Sequence, residues 1–138
     1  MSILLIAHNM AVVRHVCEKV AVMYLGRIVE IAATDALFTD PRHPYTRGLL
    51  KAVPRLVPGR ASTAVAVVGH PPSSIDLPTG CRFHPRCLIA RRPLGHDADP
   101  ELAPGPPIPT PHLAACHFAW TEAPPSHAPY VELDVERG

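Results

Sequence analysis

LLIAHNMAVVRHVCEKVAVMYLGRIVE, residues 4–30, carries three hydrophobic patterns in succession. Ile3–Ala7 is an unbroken apolar run, the pattern of an interior strand covered on both faces. Met10, Val13, Val16, Cys17 and Val20 then recur at helical spacing, which predicts a helix from about Asn9 to Glu18 with Asn9 capping its amino end. Val20–Tyr24 and Ile28–Ile31 are short apolar runs separated by Leu25, Gly26 and Arg27. A tight hairpin fits, with Gly26 supplying a positive φ at the turn.

Working outward, Thr34 is placed to cap a short helix that ends near Thr39, because Asp40-Pro41 stops it. In RHPYTRGLLKAVP, Pro44 suits a first helical position and Tyr45, Leu49, Leu50 and Val53 supply an apolar face up to Pro54. Strand, helix, hairpin and two helices amount to the last portion of an α/β domain. A parallel strand needs a neighbour reached by a crossover, so the fold is expected to be incomplete.

All 18 prolines lie at or beyond Pro41. Proline lacks the amide hydrogen that helices and ladders use, so the remainder is expected to be largely loop, with Pro100–Pro111 extended and polyproline-like. The division predicted is 1–53, 54–120 and a tail over 121–138. With 13 Lys and Arg against 12 Asp and Glu, no strong field points to nucleic acid. The apolar start is too short to span a bilayer and lacks the flanks of a signal peptide, which predicts a cytosolic chain.

His8 is the first candidate for chemistry, since ligands of open α/β sheets bind beyond the carboxyl ends of strands. Taken alone, a histidine there is more often a structural or surface residue. Three cysteines, Cys81, Cys87 and Cys116, fall in the proline-rich half, whereas Cys17 sits on the apolar helical face as a small core residue. A cytosolic chain disfavours a disulfide and leaves metal binding as the sharper reading, although C-x5-C is not the short spacing usual for zinc. Pro44 and Tyr45 need no chemistry: one starts a helix and the other packs it. Arg60 and His70 lie in a loop, with a role facing a transporter or a regulator as the alternative to a solvated surface.

The stretch from LLIAHNM to KAVP resembles the carboxyl-terminal part of the ATP-binding subunit of oligopeptide, dipeptide and nickel ABC importers. VAVMYLGRIVE followed by DPRHPYT carries the resemblance, which continues through PPSSIDLPTGCRFHPRC and HLAACHFAW, over most of residues 3–120. It implies the end of an ABC-type P-loop nucleotide-binding domain followed by a proline-rich, cysteine-bearing extension. By the same resemblance His8 is the switch histidine that contacts the γ-phosphate of ATP, with magnesium the companion ion in the full-length family. Partners implied are membrane permease subunits and a second ATP-binding subunit, at the inner face of the cell membrane. Members with four cysteines in this extension ligate an iron-sulfur cluster. Cys81, Cys87 and Cys116 match three of those positions, and Leu94 occupies the fourth.

Leucine cannot ligate iron, so a 4Fe-4S cluster would need a substitute, with His84, His96, His112 and His117 the nearby candidates. Three unligated cysteines in a loop are the competing reading. The chain contains no G-x-x-x-x-G-K-[ST], no strand ending in Asp-Glu and no LSGGQ-type signature. Phosphoryl transfer depends on those groups acting together, so no ATP hydrolysis is expected from this polypeptide alone. The chain could complement a separate amino-terminal piece. A small noncatalytic metal-binding or interaction module is the alternative.

Overall fold

A computed structural model describes residues 2–52, 72–73, 75–87, 98–106 and 111–121. Helix α1 (Met10–Val16) starts at Asn9, whose Oδ1 accepts from the amides of Ala11 at 3.0 Å and Val12 at 3.4 Å. That satisfies two of the amide groups left over at a helix start, as the sequence predicts. Strand β1 (Lys19–Tyr24) and strand β2 (Arg27–Ala33) form an antiparallel hairpin. Both turn residues have positive φ, Leu25 at 45° and Gly26 at 75°. A two-residue turn of this hand matches the twist of the flanking strands, and glycine takes the conformation without steric cost.

Along β1 burial alternates, with Val20, Val22 and Tyr24 inward. In β2 the alternation breaks: Val22 pairs Glu30 and Met23 pairs Ile28, so Val29 has no opposite residue. This bulge lets the consecutive residues Val29 and Glu30 both be buried. Helix α2 (Thr34–Thr39) follows directly and seats Leu37 fully inside the core, beside Val13, Val20, Val29 and Ala32. Thr34 does not cap it. Its backbone amide is held by the carbonyl of Glu18 at 2.9 Å, and its hydroxyl donates instead to the carbonyl of Cys17. Asp40 ends the helix as expected. Helix α3 (Pro44–Ala52) begins at the predicted proline; Val53, its expected last apolar position, lies outside the described residues.

A further expectation is corrected. Ile3–Ala7 is not a buried strand: it forms no ladder with the described residues, and Ile3, Leu4 and Ile6 are 78%, 89% and 92% exposed. Strand geometry needs a hydrogen-bonded neighbour, and no described segment lies alongside this one. The sheet that does form is antiparallel among the described residues, so the architecture is a mixed helix and antiparallel sheet.

The described residues from 72 onward are largely loop, as expected, with two short strands among them. Strand β3 (Ala103–Pro104) and strand β4 (Leu113–Ala114) extend the sheet in the order β1-β2-β4-β3. Proline is admitted because β3 is an edge strand, where one amide row has no partner to lose. Residues 107–110 of the expected polyproline stretch, with Arg60, His70, Leu94 and His96, lie outside the described residues. Among the described residues no helix is long and apolar enough to cross a membrane.

Candidate functional site

His8 is exposed at a bend between the apolar segment and α1. Among the described residues, no hydrogen bond, ring contact or ion pair ties it to the cysteines.

The three later cysteines sit on two separate turns. Cys81, Arg82 and Phe83 lead into a single turn of 3-10 helix over His84–Arg86. The carbonyl of Cys81 accepts from the His84 amide at 3.0 Å and from its Nδ1 at 2.9 Å, and the Cys87 amide donates to the His84 carbonyl at 3.1 Å. These bonds close the loop so that both thiols face the same body. Its anchor is Phe83, buried with ring contacts to Tyr24 at 5.2 Å, His43 at 5.5 Å and Tyr45 at 5.7 Å. Arg82 fastens the turn to the hairpin by donating to the Leu25 carbonyl at 2.6 Å.

Cys116 arrives from the other side, one residue beyond Ala115, whose amide donates to the Val29 carbonyl at 2.8 Å. Burial pushes the Cys116 thiol up to about 11, an amide hydrogen bond from Phe118 opposes this, and charge on Cys87 and Cys81 adds to it. Burial likewise raises Cys81, against an amide hydrogen bond from Phe83 and with Cys87 adding. The three thiols therefore share one electrostatic neighbourhood. None of the four cysteines is in a disulfide, and Cys17 packs half-buried on the core as predicted.

No group of three His, Cys, Asp or Glu among the described residues is close enough for a single metal ion. A four-iron cluster takes four thiolates at wider corners. The sequence offers Cys81, Cys87 and Cys116 as thiols, and position 94 is a leucine. The histidines nearby already have bonds: His84 Nδ1 to Cys81, His117 Nε2 to the Ala98 carbonyl at 3.0 Å, and His112 Nε2 to Glu30 at 2.7 Å.

Sequence reasoning missed the polar centre beneath these turns. Glu30 has no exposed surface, and its carboxylate accepts from the Arg42 amide at 2.7 Å, the His43 amide at 3.0 Å and His112 Nε2. Three donors converge on an acceptor-only group, which is how a buried carboxylate is tolerated. His43, also buried, accepts from the Tyr45 amide at 3.1 Å through Nδ1 and so caps α3. Burial lowers its pKa to about 3, which keeps the imidazole neutral and able to accept. Tyr45 lies 4.7 Å from Tyr24, the packing role read from the sequence. The missed signal is a Glu at an inward position of β2; histidine is not a usual cap, and nothing in spacing pairs residue 30 with residue 112.

Residues 29–93 match the family described as oligopeptide/dipeptide transporter, C-terminal region. The chain is 46% identical over 117 residues to a probable peptide ABC transporter ATP-binding protein of Sinorhizobium fredii, covering 84% of this chain and 32% of that protein. It is 45% identical over 90 residues to the dipeptide transport ATP-binding protein DppF of Haemophilus influenzae, covering 65% and 28%. With the di/tripeptide transport ATP-binding protein DppF of Pseudomonas aeruginosa the identity is 41% over 114 residues, covering 83% and 34%. The chain thus spans about a third of the length of the relatives it matches. Glu30, the RHPY segment and the Cys81–Cys87 turn all fall within the matched region, and the chain is a relative of the ATP-binding proteins of peptide and dipeptide ABC transporters, matching their carboxyl-terminal part.

Proposed function

We propose that the chain is the carboxyl-terminal part of the ATP-binding subunit of a peptide or nickel importer, in which ATP binding and hydrolysis are coupled to transport. The match over residues 29–93 carries this reading, and it favours a piece of such a subunit over a free-standing module. In it, residues 1–53 end the ATPase domain, 54–120 are the extension and 121–138 a tail. The partners are permease subunits and a second ATP-binding subunit at the inner face of the membrane.

His8 would act as the switch histidine, its imidazole donating to the γ-phosphate. An imidazole supplies one such bond, while the phosphate cradle and magnesium site come from sequence motifs this chain does not contain. The 138-residue chain alone is accordingly expected to hydrolyse no ATP above a His8→Ala control. Co-expression with the preceding two thirds of a relative is expected to restore hydrolysis, and to lose it again in His8→Ala. A folded complex whose turnover is indifferent to His8→Ala overturns the assignment.

A second reading concerns the thiols. Cys81, Cys87 and Cys116 would hold three corners of a 4Fe-4S cluster, a reading that rests on their match to three of the four cysteine positions of the family's extension. When bound, such a cluster supplies one-electron chemistry or structural cross-linking. Protein purified without oxygen is expected to show visible thiolate-to-iron absorption that disappears in Cys81→Ser. Colourless, iron-free protein after reconstitution with iron and sulfide refutes it.

A further inference from the structure

The segment 111–121 is attached to the hairpin by little regular structure. Strand β4 pairs only Leu113 and Ala114 with β2, and the Ala115 amide adds one bond to Val29. A ladder this short is weak by itself. Around it sit side-chain ties: His112 to Glu30, Arg42 Nη1 to the Ala119 carbonyl at 3.5 Å, and the Arg42 guanidinium over Trp120 at 5.2 Å. Of these, only the His112 tie is made to a carboxylate with no exposed surface. An unpaired donor or acceptor there would lose its bond without regaining water.

Glu30 also reaches the other cysteine turn. Its second oxygen holds the His43 amide, and the His43 ring lies against Phe83, two residues after Cys81. One carboxylate therefore bonds His112 directly and touches the Cys81–Cys87 turn only through the His43 ring.

We infer that Glu30 is a latch: through His112 it holds the Cys116 segment against the hairpin, and breaking that contact frees Cys116 without loosening the core around Cys17. The inference rests on neither the transport reading nor a bound cluster.

The test is the alkylation rate of each cysteine in the full chain, read by mass spectrometry. In His112→Leu the donor to Glu30 is gone. That variant is expected to raise the Cys116 rate about tenfold or more while Cys17 stays as it was. His112→Gln keeps an N–H within reach of Glu30 and is expected to hold Cys116 within about twofold of the unaltered chain. An unchanged Cys116 rate in His112→Leu overturns the inference. So does a parallel rise at Cys17, or a His112→Gln rate equal to that of His112→Leu.

Discussion

Residues 3–7 and Glu30 reverse the usual expectation for apolar and charged groups. The apolar run lies in solvent, and the carboxylate has no exposed surface at all. Hydrophobicity alone does not bury a strand, because its backbone needs a ladder, and none is offered by the described residues. Charge alone does not expose a side chain either, once donors are arranged to replace water. Placement in this molecule follows hydrogen-bond partners as much as it follows polarity.

That contrast can be broken from either side. The largest effect is expected inside the hairpin body: Leu37→Ala removes a fully buried side chain and should cost about 2–5 kcal/mol in urea denaturation, from lost burial and the cavity left behind. A cost under ~1 kcal/mol would mean that this core is loosely packed.

The next is a pH effect at the cap of α3. His43 has a folded pKa of about 3, below the ordinary 6.5, so the unfolded chain binds the proton more readily. Its contribution is fully present above pH 6.5 and is lost as pH falls toward 3. Urea midpoints should therefore drop across that window. His43→Asn, which can still accept from the Tyr45 amide, should flatten the drop. An unaltered slope in that variant would show that other groups carry the acid sensitivity.

The smallest effect is expected in the apolar run. Ile6→Ser should change stability by no more than about 0.5 kcal/mol in this chain, since Ile6 is 92% exposed. Residues 3–7 should likewise exchange their amide hydrogens fast. Slow exchange there would reveal a partner strand and cancel the contrast.

The same logic separates what could be read early from what could not. Helix α1, the hairpin and the start of α3 were legible because each is local: Asn9, Gly26 and Pro44 act within a few residues of themselves. Thr34 was misread because its hydroxyl found the Cys17 carbonyl, a partner 17 residues away, in place of its own helix. The strand at 3–7 was misread because its pattern describes an environment that this chain's described residues do not provide. In the candidate site, Cys81, Cys87 and Cys116 are visible as residue types, and the seats of their turns are not, since these depend on Arg82 reaching the Leu25 carbonyl and Ala115 reaching the Val29 carbonyl.

The order of elements up to α3 is thus written in the chain itself, in apolar spacing and in capping and turn residues whose preferences are intrinsic to their own backbones. Tertiary structure alone decided that Ala103–Pro104 and Leu113–Ala114 would join the sheet, and that Glu30 would meet His112 across 82 residues. Such contacts have no periodicity to announce them. They form because a buried acceptor is costly until distant donors fold onto it.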